Sequence, residues 1–129
     1  PMMISEYCPM GVLVRNCKKD KRCAECRKDK YMLEDQKGSQ FRLSQSEFCR
    51  TTIYNSESTI MLENLEDVAE TGVDFFRLDF SLETPEEVRE IAKAYIETTE
   101  SDFELSNTAE KVLNKNRNYT TAHFYKGVE

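Results

Sequence analysis

Apolar and polar positions alternate over short stretches in the first part of the chain, a pattern typical of β-strands. Residues 1–7 predict a short strand that ends at a turn over residues 8–11. Residues 31–35 and 40–44 predict the two strands of a β-hairpin. Gly38 lies between them and supplies the positive φ angle that such a turn requires. The segment between the turn and the hairpin has no apolar period and predicts a loop.

Beyond the hairpin the pattern changes from strand to helix and back. Residues 48–54 carry β-branched and aromatic side chains and predict a strand. Apolar residues then recur at helical spacing until Gly72, where a helix would end. Residues 73–80 predict the next strand, and the segment Thr84-Pro85-Glu86-Glu87 predicts a helix start with a threonine cap. This β-α-β-α order predicts a parallel sheet with crossover helices.

The chain of 129 residues has room for one domain. We predict an α/β fold in which residues 1–47 form the strand, cysteine-rich loop and hairpin, and residues 48–98 form the β-α-β-α run. Residues 99–129 then form a short helix over 108–114 and an irregular tail. The longest apolar run covers residues 10–14, far below the roughly 20 residues of a membrane span, so we expect no contact with a membrane.

The predicted strand over residues 73–80 has one apolar and one charged face. Phe76, Leu78 and Phe80 alternate onto one side, which leaves Arg77 and Asp79 on the other. In an α/β sheet the charged pair would face a barrel interior or the crevice at the carboxyl ends of the strands, where ligands bind. An Arg-Asp pair that neutralises itself in the core has the same pattern, so both interpretations stay open.

Charge is distributed unevenly along the chain, whose formal net charge is −6. Residues 11–31 hold eight Lys or Arg against three acids, whereas residues 57–104 hold fifteen acids against three bases. The basic segment is either a solvated loop or a contact surface for phosphate or RNA.

Five cysteines are many for this length, and four of them fall within residues 8–26. An odd number argues against a purely disulfide-bonded framework. The N-terminus shows no secretory signal, so we expect a cytoplasmic protein, in whose reducing compartment clustered cysteines hold metal or do redox chemistry. Thiolates at this spacing suit zinc or an iron-sulfur cluster, and a loop without metal is the third alternative. The candidate ligands, one more than a four-coordinate site needs, are Cys8, Cys17, Cys23, Cys26 and Cys49.

Hydrolase motifs are missing from the sequence, which has no His-Glu-x-x-His, no Gly-x-Ser-x-Gly and no phosphate loop. His123 is the single histidine. A cysteine nucleophile would have to be Cys8 or Cys49 acting with His123, but no orienting group for such a pair is evident in the sequence.

Several of these segments together resemble the C-terminal part of peptidase family U-32, the collagenase-like proteases. The resemblance spans nearly the whole chain. It rests on residues 5–11, 16–17, 26–27, 33–38 with Phe41, 53–56, 76–80 and 123–128.

The resemblance implies part of a TIM-type barrel, the last β-α units of a larger enzyme. Members of the family are classed as peptidases, others hydroxylate RNA bases or a ubiquinone precursor without oxygen, and several hold a four-iron four-sulfur cluster on cysteines. It implies that this chain contributes the cysteine site and that its partners are the rest of the parent chain and RNA. The implied substrate-binding residues are Glu6, Asn55, Arg77, Asp79 and His123.

The chain departs from the family pattern in two places. It lacks the Glu-x-Phe-x-x-Gly segment that leads into two cysteines, and Ala122 stands where glycine is expected. An intact active site within these residues is therefore not expected. The competing hypothesis is a module without enzymatic activity, ordered by zinc, whose basic loop binds a partner or RNA.

Overall fold

A computed structural model describes residues 2–9, 11, 31–46, 50–116 and 118–125. It contains both helices and strands, so the α/β class is confirmed at that coarse level. The chain forms two compact units, Pro1–Ser56 and Glu57–Glu129. The first of these units contains the four-stranded sheet, and the second holds the helices that were predicted after the hairpin.

The first unit contains a four-stranded antiparallel sheet. β1 and β3 flank β4, and β2 lies at the edge beside β3. At one end of the sheet Thr51 lies opposite both Ser5 and Gln45, while at the other end Ile53 lies opposite Met3 and Leu43. The strands are β1 (Met3–Ser5), β2 (Met32–Glu34), β3 (Gln40–Gln45) and β4 (Thr51–Ile53).

The predicted hairpin is confirmed as β2 and β3. The carboxylate of Asp35 accepts hydrogen bonds from the backbone N–H of Lys37 at 2.8 Å and of Ser39 at 2.9 Å. Gly38 takes a φ angle of +83°, as the turn requires. The bond from Ser39 is the largest of the effects that lower the pKa of Asp35, so the turn is fixed best when this carboxyl is ionised.

The other two strands of this unit are also confirmed, over shorter lengths than predicted. The strand predicted over 1–7 covers Met3–Ser5, and the one predicted over 48–54 covers Thr51–Ile53 among the described residues. The backbone N–H of Gly11 donates to the carbonyl of Cys8 at 3.1 Å, which closes the predicted turn. The predicted loop over 16–30 lies outside the described residues.

The second unit packs its helices around one apolar core. In chain order it contains β5 (Ser58–Thr59), a 3₁₀ helix (Leu62–Asn64), α1 (Leu65–Glu70), α2 (Pro85–Glu100), α3 (Asn107–Lys115) and β6 (Tyr119–Thr120). β5 and β6 pair in parallel. The buried core residues are Ile60, Leu62, Leu65, Ala94, Tyr95, Ala109 and Val112.

Capping residues set the starts of the two longer helices. Thr84 Oγ1 accepts a hydrogen bond from the backbone N–H of Glu87, and the Glu87 carboxylate accepts one from the N–H of Thr84, so a reciprocal capping box opens α2. Ser106 caps α3 in the same manner by accepting from Ala109 N at 3.1 Å. The helices predicted from residue 84 and over 108–114 are thereby confirmed.

The helix predicted to end at Gly72 is shorter than expected. Its first residues form β5 and the 3₁₀ helix, and α1 covers only Leu65–Glu70. Gly72 has a φ angle of +80° and does end the helical segment. In the tail, β6 is a short strand that the sequence pattern did not reveal.

The strand predicted over residues 73–80 is wrong, because these residues form no strand. A strand needs a neighbour with which to share backbone hydrogen bonds, and this segment has none in the described part of the chain. The β-α-β-α run with a parallel sheet is therefore not formed by the described residues. Their four-stranded sheet is antiparallel and lies in the first unit.

Candidate functional site

One end of the antiparallel sheet leads into the segment that carries Cys8. Because Ser5 lies opposite Thr51, β1 ends where β4 begins. Beyond this end Glu6 Oε1 forms an ion pair with Arg50 Nε at 2.8 Å. Cys8 follows Glu6 by two residues, and in the sequence Cys49 precedes Arg50. Of the five predicted ligands, Cys8 is the one that the described residues place at this end of the sheet.

Two buried hydrogen-bonding groups lie at the same end without a partner in the described structure. They are the hydroxyl of Thr51, a residue with no exposed surface, and the side-chain amide nitrogen of Gln45. The two residues are direct cross-strand neighbours, so their side chains share one face of the sheet. A buried polar group without a partner costs about 1–3 kcal/mol, and among the described residues neither of these two groups has an acceptor.

Cys8 is half-buried in the turn that follows β1. Cys17, Cys23, Cys26 and Cys49 lie outside the described residues. Within the described ranges no three His, Cys, Asp or Glu side chains gather closely enough to hold a metal ion. Of the five candidate ligands, Cys8 alone belongs to the described ranges, so the cysteine metal site stays a prediction.

Two of the predicted substrate-binding residues belong to the first unit. Glu6 is engaged by Arg50 in the ion pair described above, with both side chains largely exposed. The side-chain oxygen of Asn55 accepts a hydrogen bond from the backbone N–H of Ser56 at 3.0 Å. Both side chains have local structural partners.

The other three predicted substrate-binding residues belong to the second unit. Arg77 Nη2 donates to Asp79 Oδ2 at 2.8 Å, with the two side chains 84% and 68% exposed. The hydrogen bond to this carboxylate, followed by its charge, raises the pKa of Arg77. The exposed pair does not neutralise itself in a core of the described structure, and its role in substrate binding stays a prediction. His123 follows β6 in a turn where Ala122 takes a φ angle of +51°.

Two tyrosine-carboxylate hydrogen bonds fasten the segment that carries His123. The phenol of Tyr119 donates to Glu63, and the phenol of Tyr125 donates to Asp67. These bonds are the main reason that the pKa values of Tyr119 and Tyr125 are raised. The two hydrogen bonds were not predicted from the sequence, although the four-residue spacing of Glu63 and Asp67 places both acids on one side of a helical segment.

Comparison of the chain with protein-family models, with curated proteins and with solved structures finds no match. The resemblance to peptidase family U-32 therefore rests on the sequence segments alone. Among the helices of the described ranges, none has the length and apolar character required to cross a membrane.

Proposed function

We propose that the first unit carries a cysteine-ligated metal site at the end of its antiparallel sheet. The observation that supports it is the pair of buried donors on Thr51 and Gln45 without a partner in the described structure, at the end of the sheet where Cys8 follows β1. We further propose that the chain is the C-terminal part of a U-32-like protein and contributes this site to a TIM-barrel-like parent enzyme.

The buried donors on Thr51 and Gln45 suit a sulfur-ligated metal better than an apolar interior, which offers them no acceptor. Thiolate and sulfide sulfurs accept hydrogen bonds, and such bonds from the surrounding protein orient the ligands and tune the metal. Thr51 offers one O–H donor, and the side-chain amide of Gln45 offers two N–H donors. The basic side chains between Cys17 and Cys26 favour the thiolate form that binds metal.

Five cysteines suit two kinds of group, zinc or a four-iron four-sulfur cluster. Bound zinc supplies structural order, whereas a bound cluster supplies one-electron transfer. A cluster would accord with oxygen-independent hydroxylation in the parent enzyme. Zinc would accord with a peptidase parent or with a module that binds a partner and has no chemistry of its own.

The experiment compares three single variants of the full chain, loaded with zinc or reconstituted with iron and sulfide. Thr51→Val removes the hydroxyl and keeps the shape of the side chain, and we expect it to weaken metal retention by about tenfold to a hundredfold. Thr51→Ser keeps the hydroxyl and should retain the metal. Thr52→Val makes the same chemical change on the opposite face of the same strand and serves as the matched control.

The opposite result would remove the support for the site. If the Thr51 hydroxyl has no acceptor, Thr51→Val removes an unpaired polar group and raises the free energy of unfolding. Unchanged metal retention together with such a stability gain would contradict the proposal.

A further inference from the structure

Residues 73–80 form an unpaired segment with the composition of a strand. They connect Gly72, which ends α1, to the cap of α2 at Thr84. Across these residues, all of them described, no backbone N–H or C=O takes part in a hydrogen bond. Phe75 is 91% exposed, while Leu78 packs against the core of the second unit. An exposed, apolar, unpaired segment of this kind is a template for pairing with another strand.

The local geometry is already suited to a strand. Arg77 and Asp79 are joined by a hydrogen bond of 2.8 Å, which places these i and i+2 side chains on one side of the segment. Leu78 points the other way, onto the core. The segment therefore presents a charged outer side and an apolar inner side, with both rows of backbone groups unused.

We propose that residues 75–81 pair antiparallel with the same residues of a second copy of this chain, with the two-fold axis at Leu78. In this register Arg77 of each copy lies opposite Asp79 of the other, so the pairing forms two cross-strand ion pairs. Phe76 of each copy lies opposite Phe80 of the other, and the two Leu78 side chains face each other. Such a self-complementary patch is what a two-fold interface requires.

Neighbouring registers are disfavoured by the same charges. A shift by two positions in one direction places Arg77 opposite Arg77, and a shift in the other direction places Asp79 opposite Asp79. A shift by one position brings charged residues opposite apolar ones. The sequence therefore specifies one antiparallel register with itself, and this favours a second copy over an unrelated strand as the occupant.

This interface goes beyond the proposed metal site and does not depend on it. It gives Arg77 and Asp79 a role in assembly in place of the substrate-binding role implied by the family resemblance. The dimer should form equally in metal-free and metal-loaded protein, so its failure and the failure of the metal site are distinguishable.

Variants that reverse the charge of Arg77 or of Asp79 test the proposed register directly. Analytical ultracentrifugation of the full chain should show a dimer. Arg77→Asp places two acids opposite each other and Asp79→Arg places two bases opposite each other, so each variant alone should dissociate at least about tenfold more readily. An equimolar mixture of the two variants restores both ion pairs and should dimerise again.

The control is Lys93→Asp, which makes the same charge change at an exposed position of α2 and should leave the dimer intact. Circular dichroism of the two interface variants should match that of the wild type, since both residues are exposed. A monomeric wild-type chain, single variants that remain dimeric, or a mixture that stays monomeric would each overturn the proposal.

Discussion

Thr51, Tyr119 and Tyr125 all carry hydroxyl groups, and their surroundings give the groups different roles. The hydroxyls of Thr51 and of Thr98 in α2 are buried without a partner among the described residues, but only Thr51 lies beside a second such group, on Gln45. The phenols of Tyr119 and Tyr125 are hydrogen-bonded to Glu63 and Asp67 and hold the tail against the start of the second unit. At the scale of single residues, hydrogen-bond partners therefore separate a candidate site from a structural contact.

The two tyrosine-carboxylate bonds predict a loss of stability at high pH. Because these bonds raise the phenol pKa in the folded state, the unfolded chain ionises first, near the ordinary tyrosine value of 10.0. The stabilisation is complete below that pH and is lost as the pH rises through the folded-state values. The double variant Tyr119→Phe/Tyr125→Phe should therefore show a shallower decline in the free energy of unfolding above about pH 10.

Urea unfolding at a series of alkaline pH values measures this decline. Tyr7→Phe is the control, since Tyr7 is exposed and belongs to the first unit. A double variant whose decline equals that of the wild type would show that the two bonds do not form in solution.

At the scale of elements, local signals decide where helices and turns begin and end. The capping box at Thr84 predicts that Thr84→Ala lowers the free energy of unfolding by about 0.5–2 kcal/mol, while Thr84→Ser has a much smaller effect. Hydrogen bonding from the backbone and side chain of Thr84 lowers the pKa of Glu87. The contribution of Glu87 is therefore present above its unfolded-state pKa and is lost as the pH falls through its folded value.

Thermal unfolding at neutral and at acidic pH measures both effects. The difference between Thr84→Ala and the wild type should shrink once Glu87 is protonated. A difference that stays constant into acid would show that the Thr84 side chain does not stabilise the ionised Glu87 carboxylate.

The hairpin turn and the start of α2, both predicted correctly, depend on neighbours in the chain. Gly38 and the Asp35 side chain specify the hairpin, and Thr84 with Pro85 specifies the start of α2, within four residues in each case. Residues 73–80 have the pattern of a strand, but strand formation depends on a distant partner that the pattern cannot supply. β6 was not predicted, because its pairing with β5 joins residues about sixty positions apart.

For the candidate site, too, features visible in the sequence were predicted, and features that depend on distant contacts were not. Cysteine spacing is visible in the sequence and predicts a metal ligand set without a structure. The roles of Thr51 and Gln45 were not predictable, because their burial and proximity follow from the register of β3 against β4. Arg77 and Asp79 were correctly seen to share a side, whereas their exposure depends on packing between elements.

At the scale of the whole molecule, the described apolar core and the proposed metal site belong to different units. The described apolar core cluster belongs to the second unit, and the cysteine-bearing end of the sheet belongs to the first. Leu62 is 1% exposed in that core, so Leu62→Ala should lower the free energy of unfolding by about 2–5 kcal/mol.

Chemical denaturation measures this loss, with Ile96→Ala as the control because Ile96 is 57% exposed on α2. Metal retention by Leu62→Ala at low temperature should remain that of the wild type, since the proposed ligands lie in the other unit. A stability loss no larger than that of Ile96→Ala would contradict the described core.

The central claim is the cysteine-ligated metal site, and metal and acid-labile sulfide content test it most directly. The protein should be purified both without oxygen and in air, and its visible spectrum recorded. We expect a bound group, either iron with sulfide that is lost in air or one zinc without sulfide. Protein that contains neither metal, and whose unfolding is unaffected by chelators and by added zinc or iron, would contradict it.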